Sequence, residues 1–116
     1  MYRDVYRMNT EAPSRRQTQI AERIAQLSGE FFSHESNRES LITVTRSDIS
    51  ADLKNATVYI SVLPQSAEKK ALAFAKRERS ALRNFVKKKV TFSTIPTIEV
   101  VIDIGEKNRQ QVSRFV

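Results

Sequence analysis

Between Ala56 and Val62 the chain alternates strictly, with Val58, Ile60 and Val62 at one parity and Thr57, Tyr59 and Ser61 at the other. β-Branched and aromatic residues with a period of two make a strand that is apolar on one face, so any fold of this chain must lay a second layer over that face. Leu41 to Ile49 carries a similar pattern, Ile42 and Val44 against Thr43 and Thr45. Between the two segments, Ser50 to Asn55 contains Asp52 and Asn55, residue types that turn a chain by bonding their own backbone. The segments are predicted to pair as a hairpin or near-hairpin.

The first available cover lies upstream. Ser14 and Gln17 stand at capping-box spacing, and Ile20, Ile24, Leu27 and Phe31 follow at helical intervals, flanked by Ala21, Ala25 and Phe32. This predicts an amphipathic helix of about 18 residues. Its Arg15, Arg16 and Arg23 are offset by Glu22 and Glu30 and read as a solvated face. Residues 1–13, closed by Pro13, show no period and read as a flexible N-terminal arm, which leaves 14–116 as the domain. His34 to Ser40 is polar and reads as a loop. Its His34-Glu35 pair is no zinc-protease helix, because the position for a second His holds Arg38.

Beyond Val62 the period changes. Pro64 ends the second strand, and Ser66 is placed to cap a helix. From Lys69 to Lys89 the apolar Ala71, Phe74, Ala75, Leu82, Phe85 and Val86 gather on one side of a helical wheel, while Lys69, Lys76, Arg83 and Lys87 fall together on another. The least apolar part, Glu78-Arg79-Ser80, is the expected place for a bend that divides the stretch into two helices. Pro96 then precedes a third strand, Ile98 to Ile104, and Glu106 to Val116 is expected to add a final turn or two of helix. The order is helix, strand, strand, helix, helix, strand: an α+β domain with helices on one face of a three-stranded sheet.

Charge singles out the same stretch. Lys69 to Lys89 holds nine basic residues and one acid, whereas the 116-residue chain as a whole nets +7. The positive field therefore has a single source, and one so localised points to a polyanion rather than to a merely solvated face. The candidate RNA-binding residues are Lys69, Lys76, Arg77, Arg79, Arg83, Lys87 and Lys88, with Arg83 and Lys87 expected on the exposed stripe and Lys76, Arg77 and Arg79 on the outside of the bend. Tyr59 and Phe92 are aromatic residues able to stack on a base, although packing is the commoner role for each.

Other chemistries are disfavoured. The chain has no Cys and one His, which excludes disulfides, thiolate zinc sites and multi-histidine metal sites, and no cofactor is expected. A catalytic triad would have to use His34 with no nucleophile motif around it, and no Gly-rich phosphate loop exists, so no enzyme is expected. No apolar run approaches the roughly 20 residues that span a bilayer, and Met1 to Arg7 carries no secretory pattern. A cytoplasmic protein without a membrane partner is the expectation.

The order of elements is that of the type II KH fold, and specific residues go further. Ser50-Ala51-Asp52-Leu53-Lys54-Asn55-Ala56-Thr57-Val58-Tyr59-Ile60-Ser61 resembles the S-x-D-L-x-x-A-x-V-Y-[VI]-S signature of the bacterial ribosome-binding factor A family. Leu82-Arg83 is similar to that family's G-x-[IL]-R segment, and Pro96 to Asp103 to its P-x-L-x-F-x-x-D strand; the helix from Arg16 through Leu27 fits its first helix. Three places depart from the pattern. Glu78, Arg79 and Ser80 stand where the family has an Ala-x-Gly bend, Ser47 where a strand Val is common, and no Asp-Pro occurs around Asn37.

The resemblance implies a small cytoplasmic, non-enzymatic factor that binds the small (30S) ribosomal subunit and assists maturation of its 16S rRNA, expected to act as a monomer. The chain's two glycines, Gly29 and Gly105, lie far apart, so the GxxG loop with which ordinary KH domains clamp single strands is lacking. Binding through phosphates and shape is the physical alternative. Two other readings stay open on the residues alone: a general KH-like RNA-binding module not specific to the ribosome, and a basic protein-interaction domain with an acidic partner.

Overall fold

The computed structural model describes residues 12–35 and 39–108. The expected arm lies outside the described residues except for Ala12 and Pro13, as do 36–38 of the expected loop and 109–116 of the expected terminal helix.

Helix α1 spans Arg15–Glu35. Both halves of the capping box form: the Gln17 N–H donates to Ser14 Oγ at 3.0 Å, and the Ser14 N–H to Gln17 Oε1 at 2.9 Å. Two otherwise orphaned donors are thus satisfied at the first turn. The helix runs longer than its apolar period predicts and takes His34 out of the expected loop, because the buried Phe31 and Phe32 hold its last turns onto the core.

Strands β1 (Leu41–Ile49) and β2 (Asn55–Leu63) form the expected antiparallel hairpin, paired from Leu41 with Leu63 to Ile49 with Ala56. A bulge between Val44 and Arg46 reverses the parity of β1. Past it, Arg46 lies opposite Tyr59 on the outer face, while Ser47 turns toward α1 and donates its hydroxyl to the Ala21 carbonyl. A hydroxyl at this position therefore joins sheet to helix where a valine would only pack.

The Ser50 to Asn55 turn is closed by several bonds at once. Ser50 N–H donates to the Asn55 carbonyl at 2.8 Å, and Leu53 N–H to the Ser50 carbonyl at 2.9 Å. The Asp52 carboxylate accepts the Ser50 hydroxyl at 2.6 Å and the Lys54 N–H at 3.1 Å. These two bonds hold its pKa below the usual carboxylate value, the hydroxyl being the larger cause. Leu53 takes φ 64°, the left-handed region that glycine adopts without strain.

After a 3-10 turn over Gln65–Ala67 come α2 (Glu68–Arg77) and α3 (Arg79–Lys89). Ser66 does not cap: it lies inside the 3-10 turn, and Ala67 takes the cap position without a side-chain bond. Strand β3 (Thr97–Ile102) then pairs parallel to β2, which gives the order β1-β2-β3. A parallel neighbour needs a crossover, and α2 and α3 supply it. Ile24, Leu27 and Phe32 of α1, Val58 and Ile60 of β2, Val100 of β3, Ala75 of α2 and Leu82 and Val86 of α3 close the core, at 0–1% exposure. Thr57, Tyr59 and Ser61 stay partly open on the other face, so the helices cover one side of the sheet.

The third strand ends at Ile102 rather than Ile104. Asp103 accounts for this. Its Oδ1 accepts the Glu106 N–H at 3.0 Å, which starts a helical turn at 104–108, and its Oδ2 accepts the Thr45 hydroxyl at the β1 bulge. One nearly buried carboxylate thereby joins the end of β3 to β1 and leaves Ile104 exposed.

Candidate RNA-binding surface

The basic stretch divides at Glu78. Its φ −90° and ψ 9° interrupt the helix, and its N–H is shared between the carbonyls of Phe74 at 3.0 Å and Ala75 at 3.2 Å. This bridge region is open to any L-residue, so the break needs no glycine. Ser80 lies inside α3. On each side of the break the apolar face is sunk: Ala71 and Ala75 of α2, Leu82 and Val86 of α3 are buried, with Phe74 and Phe85 packed partly against them. The opposite side carries the cations.

All seven predicted residues are exposed, and they fall into two groups. Lys69, Lys76, Arg77, Lys87 and Lys88 make no ion pair with any described residue. Their charge is available to a partner. Arg79 and Arg83 are tied down. Arg79 Nη1 donates to both carboxylate oxygens of Glu99 on β3, at 2.9 and 2.8 Å, and its Nε to the Lys76 carbonyl at 3.0 Å. Arg83 donates from Nη2 to the Ile95 carbonyl at 2.9 Å and from Nε to the Pro96 carbonyl at 3.2 Å.

Two expectations therefore change. Arg79 does not project from the corner but reaches back across it, because the last carbonyls of α2 and a carboxylate on the neighbouring edge strand both lie within its reach. Arg83 is not a free member of the stripe; its guanidinium holds α3 to the loop that enters β3. Phe92 packs against the core, the commoner role for such a residue. Tyr59 has the Arg46 guanidinium 3.7 Å above its ring, so its face is already covered. Partial burial raises the Tyr59 phenol pKa, and its hydrogen bond and proximity to Asp48 raise it further.

Arg46 itself was not among the candidates. It lies outside the basic stretch, salt-bridges Asp48 at 3.0 Å, and sits 3.7 Å from Asp103. The signal that places it beside Tyr59 is the bulge, which alternation alone does not reveal. No group of three or more potential metal ligands occurs among the described residues, and no helix there is long and apolar enough to cross a membrane.

The family profile described as Ribosome-binding factor A matches residues 14–116. A ribosome-binding factor A of Paracoccus denitrificans is 36% identical over 97 residues, covering 78% of this chain and 70% of that protein. One from Thermobifida fusca is 30% identical over 104 residues, covering 87% and 69%. The crystal structure of ribosome-binding factor A from Thermus thermophilus superposes with a TM-score of 0.67 at 18% identity, covering 74% of this chain and 94% of that one. A Thermus thermophilus ribosome binding factor A homology model, fitted into the cryo-EM map of a 30S complex, superposes with a TM-score of 0.60 at 23% identity, covering 71% and 92%. These structural likenesses carry the fold, which is the KH-like α+β arrangement. By its sequence signature, the profile match and these relatives, the chain belongs to the ribosome-binding factor A family.

Proposed function

We propose that this protein binds the small ribosomal subunit in the cytoplasm, as a monomer, and assists maturation of its 16S rRNA without catalysing a reaction itself. The single observation that carries the mechanism is the row of exposed cations on two consecutive helices, Lys69, Lys76, Arg77, Lys87 and Lys88, unpaired among the described residues. Exposed ammonium and guanidinium groups neutralise phosphates and release condensed counterions, which gives affinity without sequence readout. Membership of the family, and the 30S complex of a structural neighbour, support rRNA as the polyanion.

Arg79 and Arg83 add positive potential to this surface while their hydrogen bonds fix the geometry of its two helices. The binding domain is taken as residues 14–116. The chain lacks the GxxG loop of ordinary KH domains, so the helices contribute phosphate contacts rather than that clamp on a single strand.

Sedimentation with purified 30S subunits, 50S subunits and deproteinised rRNA tests this directly. Tighter cosedimentation with 30S than with 50S or free rRNA is expected, and Lys76→Glu with Lys87→Glu should abolish it while the melting temperature is retained. Equal binding to naked RNA would favour a general RNA-binding module. Binding from extracts that survives nuclease treatment would favour an acidic protein partner.

A further inference from the structure

Helices α1 and α3 leave a cleft of about 320 Å³ between them, lined by Phe31, His34, Ala81, Asn84, Phe85 and Lys88. Its floor is aromatic. Phe31 is buried, Phe85 is half-buried, and their rings lie 5.7 Å apart at 54°. Its rim is cationic: Lys88 lines the opening, and Lys89 Nζ stands 5.4 Å from the Phe85 ring centre. No carboxylate lines it among the described residues.

An aromatic floor under a cationic rim matches the two halves of a nucleotide, a π face for the ring and an ammonium for the phosphate. We propose that this cleft takes one unstacked base of single-stranded RNA, with the adjoining phosphates on Lys88 and Lys89. The proposal rests on the RNA-binding reading above and extends it to a second kind of contact, stacking beside charge.

The residues present suit each part of that role. The Lys89 ammonium lies close to the outer limit of about 6 Å for a cation held over a ring, so it is loosely placed and can move to a phosphate as a base arrives. Asn84 is exposed and offers both donor and acceptor to a base edge. An acidic peptide would be satisfied by the lysines alone and would leave the phenylalanine floor unused, so the aromatic residues favour a nucleotide.

The probe is a short single-stranded oligoribonucleotide carrying 2-aminopurine, beside an abasic version of the same length. The protein variants are Phe85→Leu, which keeps an apolar residue but removes the ring, and Ala81→Phe, which fills the cleft from an exposed position. The expected result is a rise in 2-aminopurine fluorescence with the wild type, as the base leaves its stacked neighbours, with binding of the abasic oligomer and binding by both variants weaker by about fivefold to a hundredfold. Thermal melts establish that Ala81→Phe is folded. Equal affinity for labelled and abasic oligomers, or no effect of Ala81→Phe, would overturn the proposal; if Lys88→Gln still weakened 30S binding, phosphate binding by the helices would stand without it. Displacement of the oligomer by poly-glutamate that Ala81→Phe leaves unchanged would equally overturn it, as charge alone would then explain occupancy.

Discussion

Arg79, at the first position after the helix break, places one guanidinium nitrogen within 2.9 Å of both carboxylate oxygens of Glu99 on β3. The same side chain donates to the Lys76 carbonyl at the end of α2, so a single arginine joins both helices to the sheet edge. Both partners are about half exposed. An exposed pair of this kind is worth about 0.2–1 kcal/mol. A double-mutant cycle with Arg79→Ala and Glu99→Ala, measured by denaturant unfolding, should return coupling in that range and less in high salt. No coupling at low salt would remove the pair from the account of the corner.

Arg83 and Lys87 lie on the same helical stripe but should behave differently. Arg83→Ala breaks two bonds to loop carbonyls and should cost about 1–3 kcal/mol, toward the lower end because the site is open to water. Lys87→Ala, with no described partner, should stay within about 0.5 kcal/mol of wild type. Charge reversal at Lys87 is therefore a clean test of binding, and charge reversal at Arg83 is not. Equal melting temperatures for the two alanine variants would show the Arg83 bonds to be idle.

Much of this architecture is legible in the sequence. The Ser14 and Gln17 cap, the alternation in β2 and the wheel of the basic stretch all depend on residues close in sequence, where local spacing fixes the geometry. What stayed hidden was non-local. The partners of Arg79 and Arg83 lie 12 to 20 residues away, and a helical wheel gives a side chain's direction without showing what it meets. The β1 bulge likewise left no mark in the alternation, so neither Arg46 over Tyr59 nor the bond from Ser47 to α1 was visible. Asp103 read as a strand residue because its capping target, the Glu106 N–H, exists only once the strand has ended.

Leu53 offers an inverted substitution pattern. Truncating a fully buried leucine costs about 2–5 kcal/mol, but Leu53 is half-buried, so Leu53→Ala should cost about 1–2 kcal/mol. Leu53→Gly removes more side chain yet relieves the left-handed backbone, worth about 1 kcal/mol, and should be no worse than alanine. A glycine variant clearly less stable than the alanine variant would show that the backbone there is unstrained.

Asp52 sets a pH dependence. Its folded-state pKa is lowered, so its contribution is fully present above the unfolded value, near pH 3.8, and is lost as pH falls through the lower folded value. The stability difference between wild type and Asp52→Asn should therefore be flat above about pH 5 and shrink on acidification. A difference that grows toward low pH would contradict the bonding seen in the turn.

The most direct test of the central claim is the salt dependence of 30S affinity for the wild type and for a variant with Lys69, Lys76, Arg77, Lys87 and Lys88 all changed to Gln. These five make no ion pair with described residues, so the variant should fold as the parent does. The expected result is weaker binding with a plot of log affinity against log salt that is shallower by about 0.7–0.9 for each phosphate contact removed. Parallel plots of equal affinity would contradict it, and would mean that the 30S subunit is held by some other face of the molecule.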